Sequence, residues 1–74
     1  MAKFRLTEKE NEYEPYIEEF DTREEAQTRM RGMYHQVAIE GNPNVIYKAK
    51  IYENSAIVIT NEDMTIEWDI EEIP

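Results

Sequence analysis

Apolar and polar residues alternate at both ends of the chain and recur at helical spacing between them. Lys3-Phe4-Arg5-Leu6-Thr7 has the period of two that marks a half-buried strand. An acidic loop is expected next, from Glu8 to Glu14. Tyr16-Ile17-Glu18-Glu19-Phe20 predicts a second, less regular strand, and Pro15 before it points to an edge position or a late start.

The helix signal is the clearest in the chain. Thr22-Arg23-Glu24-Glu25 has the form of a capping box: the Thr22 hydroxyl accepts the Glu25 amide, and the Glu25 carboxylate reaches back to the Thr22 amide. Glu24 and Glu25 stand in the first turn, where the helix dipole favours anions. Ala26, Met30, Met33, Tyr34 and Val37 then form one apolar stripe. Gly41 suits the left-handed position past the last turn and Pro43 blocks continuation, which predicts a helix over residues 23–40.

Three strands follow. Val45, Tyr47, Ala49 and Ile51 alternate with Ile46, Lys48, Lys50 and Tyr52; Glu53-Asn54-Ser55 is a connection of hairpin length. Ala56-Ile57-Val58-Ile59-Thr60 is apolar on both sides, which suits a central strand, and Asn61-Glu62-Asp63 makes the next turn. Met64, Ile66, Trp68 and Ile70 alternate cleanly with Thr65, Glu67, Asp69 and Glu71. The expected fold is α+β: one domain over residues 1–74, ββαβββ, a five-stranded mainly antiparallel sheet with one helix packed on one face. A right-handed crossover would set the third strand beside the first, giving the order 2-1-3-4-5 with the fifth strand at an edge. The expected core is Phe4, Leu6, Ala26, Met30, Met33, Val37, Tyr47, Ile51, Ile57 or Val58, Ile66, Trp68 and Ile70.

Composition narrows the function more than the fold. A chain of 74 residues is shorter than the usual domain of about 100–150 residues, so little stability is left over for a strained active site. Hydrophobic residues make up 41% and the net charge is −9, which is too apolar for a disordered chain. The acid lies mainly in Glu8–Glu25 and Glu62–Glu72, a sign that disfavours direct nucleic-acid binding and anionic membranes. No apolar run approaches the roughly 20 residues that span a bilayer. The absence of cysteine rules out disulfides and thiolate chemistry. With no apolar run behind Met1-Ala2-Lys3-Phe4-Arg5, a cytoplasmic setting is the expectation.

Candidate chemistry is sparse. His35 is the only histidine and falls on the polar side of the helix, while Ser55 falls in a hairpin turn, so no catalytic residue is expected. The acidic runs Glu8-Glu10-Glu12-Glu14 and Glu62-Asp63 lack the glycine-bearing loop that wraps a calcium ion, and with Gly32 and Gly41 alone there is no glycine-rich phosphate loop. No metal or cofactor is expected.

Two surfaces remain. Thr28, Gly32, His35 and Ile39 share the outer face of the helix, where small and apolar residues suit a contact. Lys3, Arg5, Lys48 and Lys50 point away from the helix and, in the order 2-1-3-4-5, would gather on the open sheet face to meet an anion or an acidic partner. The favoured expectation is a small non-catalytic protein-interaction domain that binds another protein and self-associates as a homodimer. One alternative is an acidic nucleic-acid mimic, of the kind phages and mobile elements encode, that occupies the basic groove of a DNA- or RNA-binding protein. Another is a binder of a small anionic ligand.

Overall fold

The computed structural model describes residues 3–11, 13–39, 46–62 and 64–74. The predicted helix stop at Gly41 and Pro43, the strand start at Val45, and Glu12, Glu40 and Asp63 lie outside them. The element order is β1 (Lys3–Glu10), β2 (Tyr16–Phe20), α1 (Arg23–Ala38), β3 (Ile46–Ile51), β4 (Ser55–Thr60) and β5 (Thr65–Ile73). One antiparallel sheet carries all five strands, and α1 crosses one of its faces, touching every strand. This is the expected ββαβββ arrangement of an α+β domain.

The strand order differs from expectation. It is β2-β1-β5-β4-β3, so β5 lies beside β1 at the centre and β3 forms an edge. Pairing strength explains the choice. β1 and β5 are the two longest strands and match from Lys3↔Ile73 to Glu10↔Ile66. On this ladder buried Leu6 faces buried Ile70, and base faces acid (Arg5↔Glu71, Lys9↔Glu67). A helix of 16 residues is about 24 Å long. Four strand spacings amount to about 19 Å. One diagonal crossing therefore carries the chain from edge to edge.

The same pairing corrects the acidic loop. Glu8, Lys9 and Glu10 belong to β1, and Glu8 Oε2 accepts the Trp68 indole N–H at 2.7 Å. Asn11 ends the strand in the left-handed region, φ 47°, and its Oδ1 accepts the Thr65 amide at 2.8 Å. Asn tolerates that conformation better than most residues because its short side chain bonds locally.

The helix starts where the capping residues predict. Thr22 is extended, φ −129° and ψ 154°, and its hydroxyl accepts the Glu25 amide at 3.2 Å. The return half of the box differs, since Glu25 Oε1 accepts the Thr22 hydroxyl itself at 3.1 Å. Ala26 and Met30 are buried, while Met33, Tyr34, Val37 and Ala38 pack partly buried at the core margin. Leu6, Ala56, Val58, Ile66, Trp68 and Ile70 rise from the sheet to meet them. Tyr34 stands edge-on to Trp68, with ring centroids 6.2 Å apart.

Tyr47 and Ile51, expected in the core, are exposed instead. A bulge between Ile46 and Lys48 is the cause: Ile46 pairs Thr60 and Lys48 pairs Ile59, so Tyr47 is the extra residue. Ile46 and Ala49 turn to the helix side in place of Tyr47. Ile51 keeps that side but lies at the strand end, opposite Ala56, beyond cover.

Asn54 fastens the far hairpin to the helix. Its Oδ1 accepts Arg23 Nη1 at 3.1 Å and Gln27 Nε2 at 3.4 Å, and its carbonyl accepts the Ile70 amide at 2.9 Å. Gln27 also donates to the Glu53 carbonyl at 3.1 Å, which satisfies a buried amide. Arg23 lies over the Phe4 ring, 5.1 Å from its centroid.

Candidate functional site

Direct partners in an antiparallel ladder share a face, so the register maps the sheet surface away from the helix. β2 contributes Ile17 and Glu19; β1 contributes Lys3, Arg5, Thr7 and Lys9; β5 contributes Glu67, Asp69 and Glu71. Beyond them β4 presents Ser55, Ile57 and Ile59, and β3 presents Lys48 and Lys50. The surface is therefore striped: acidic, basic, acidic, largely apolar, basic.

The inner stripes neutralise one another. Arg5 bridges its neighbours, with Nη2 3.8 Å from Glu19 Oε2 and Nη1 3.4 Å from Glu71 Oε1. Lys3 Nζ stands 3.8 Å from Asp21 Oδ1, and Lys9 lies opposite Glu67. The expected cluster of Lys3, Arg5, Lys48 and Lys50 does not form, because β5 and β4 separate β1 from β3. All four do face away from the helix, and only the strand order differs from expectation.

A shallow hollow of about 230 Å³ lies over the inner stripes, lined by Thr7, Lys9, Glu67, Asp69 and Glu71. It is smaller than the usual ligand pocket of about 300 Å³ or more. Its three carboxylates against one ammonium also repel an anion. Among the described residues no three of His, Cys, Asp and Glu stand together as a metal site, and no helix is long and apolar enough to cross a membrane.

The outer helix face is where the spacing places it. Thr28, Gly32, His35 and Ile39 are all exposed. Ile39 caps the helix, its amide donating to the His35 carbonyl at 3.0 Å. A Cβ on Gly32 would meet nothing within 4 Å, so no contact within the described fold requires glycine there. Ser55 opens β4, and its carbonyl accepts the Tyr52 amide at 2.7 Å.

The two sheet edges differ. At β2, Arg29 Nε donates to Glu18 Oε1 at 3.2 Å and ties the strand to the helix. The Tyr16 side chain first, then Glu18, hold the Arg29 guanidinium protonated more firmly than usual. At β3, Tyr47 is 75% exposed, Tyr52 58% and Ile51 39%. Among the described residues, β3 is paired only with β4, and neither Lys48 nor Lys50 has an ion-pair partner. Sequence reasoning missed this edge. Two lysines on one strand are the signal that could have found it, because edge strands favour lysine. No family model matches the chain, and no curated protein or solved structure shows significant similarity to it.

Proposed function

We propose that this protein is a small non-catalytic interaction domain that acts by binding another protein along the β3 edge. The observation that supports this most is the exposure of Tyr47, Ile51 and Tyr52 on and beside a strand with one unpaired side. Unpaired strand amides and carbonyls accept a partner strand, and tyrosine supplies contact area at low entropic cost. A two-layer domain with one bare sheet face has surface to spare for a contact. The mimic reading has weaker support, since Lys3, Arg5 and Lys9 interleave with the carboxylates of β5.

The test is affinity capture from a native lysate with three baits. These are the parent protein, the double substitution Tyr47→Ser with Ile51→Ser, and Gly32→Arg on the outer helix face. A protein retained by the parent and by Gly32→Arg, and lost with the β3 variant, is the expected result. Retention that is lost with Gly32→Arg and kept by the β3 variant would move the contact to the helix face and end this reading.

A further inference from the structure

We infer that the segment received by β3 is an extended acidic strand of another chain, carrying carboxylates at alternate positions with apolar residues between them. This inference rests on the β3 edge being the contact surface, as proposed above. The motive is the charge pattern across the sheet. Each basic residue of β1 on the open face has an acid on a neighbouring strand or just past its end: Lys3 has Asp21, Arg5 has Glu19 and Glu71, and Lys9 has Glu67. Lys48 and Lys50 face the same way, two residues apart, but across β4 they meet Ile59 and Ile57. An acidic complement to them would have to come from the outer side.

An added strand would place side chains directly opposite those of β3, and opposite charges at such positions attract. Carboxylates two residues apart would meet Lys48 and Lys50. The residues between them would turn to the helix side, where Ala49 is half-buried and Ile51 exposed. Apolar side chains there would cover Ile51. The acid–apolar–acid pattern required is the one in Glu67-Trp68-Asp69-Ile70-Glu71, the strand that this same sheet chose for its centre.

A second copy carries that pattern at an edge only as Glu19-Phe20-Asp21, and both of those carboxylates already pair within the fold. A β3–β3 junction on a two-fold normal to the sheet sets lysines against lysines. The β2 edge offers Ile17, Glu19 and, just beyond the strand, Asp21 on the open face, and the two acids already lie against Arg5 and Lys3. The occupant is therefore a different chain. The competing explanation is that Lys48 and Lys50 only guard the edge against aggregation. A guard works with either sign of charge, whereas a docking site does not.

Two fluorescein-labelled peptides separate these cases: alternating valine and glutamate, and its counterpart with lysine for glutamate. Anisotropy should show saturable binding of the acidic peptide to the parent protein, with amide shifts concentrated in residues 46–51. Lys48→Glu with Lys50→Glu should weaken it about tenfold, as two attractive cross-strand pairs become repulsive, and should confer binding of the basic peptide. Unchanged circular dichroism shows that the variant is folded. Equal affinity of parent and variant for the acidic peptide, or preference of the parent for the basic one, overturns the inference. If the parent binds neither peptide while capture still depends on Tyr47 and Ile51, the acidic-strand inference fails and the β3 contact stands.

Discussion

The two edges of this sheet start from similar material and end in different states. Both β2 and β3 are short, both carry exposed tyrosine and isoleucine, and each pairs with one neighbour. With five antiparallel strands, the edges also run in the same direction. At β2 the charges are satisfied within the fold: Glu18 with Arg29, Glu19 with Arg5, and Asp21 just beyond with Lys3. At β3 the charge is basic, and among the described residues it lacks an ion-pair partner. An edge whose charges are balanced needs nothing further. One whose lysines and tyrosines face outward in a chain of net charge −9 presents a local sign opposite to the whole, which is how a small acidic body can select an acidic partner.

Four substitutions probe that difference, beginning with the centre on which both edges are mounted. Trp68→Ala removes the largest fully buried side chain and leaves Glu8 without its indole donor. It should cost about 3–5 kcal/mol, weakening both edges together, and the denaturation midpoint by circular dichroism measures it. Asn54→Ala acts on the β3 side alone, because it removes the acceptor of Arg23 and an acceptor of the buried Gln27. A loss of about 1–3 kcal/mol is expected. Hydrogen exchange should quicken in β3 and β4 more than in β2. Equal loss of protection at both edges would show that Asn54 does not fasten one side selectively.

Gly32→Ala concerns the surface that competes with both edges. With no atom within 4 Å of the added Cβ, the change should stabilise the helix by about 0.8–1 kcal/mol and leave capture of a partner intact. Loss of capture would assign the contact to the outer helix face. Arg29→Ala has the smallest expected effect. It breaks an exposed ion pair, so the melting temperature should barely change. A larger loss would mean that β2 is held far more tightly than its charges suggest.

Local chemistry was legible in the sequence, and long-range pairing was not. Thr22 and the stripe Ala26, Met30, Met33, Tyr34 and Val37 located the helix because caps and periodicity act within a few residues. The alternation of Ile66, Trp68 and Ile70 identified their buried face for the same reason. Strand order depends on which two strands match over the greatest length, and no local pattern reports that. The order 2-1-3-4-5 therefore failed, and the cluster of Lys3, Arg5, Lys48 and Lys50 failed with it. Tyr47 was assigned to the core because a bulge shifts the phase of alternation without leaving a glycine to mark it. Thr28, Gly32, His35 and Ile39 were placed correctly on the outer helix face, since helical spacing alone decides that position.

Site-specific photocrosslinking compares the edges most directly. A photoreactive phenylalanine replaces Tyr47 in one protein and Tyr16 in another, and both are irradiated in the same native lysate. The two positions are exposed tyrosines on opposite edges, so either can reach a partner that docks on its edge. A partner on β3 predicts a discrete covalent adduct from position 47, suppressed by excess unlabelled parent protein, and none from position 16. An adduct from position 16 with none from position 47, or equal labelling from both, would contradict the assignment of β3 as the contact edge.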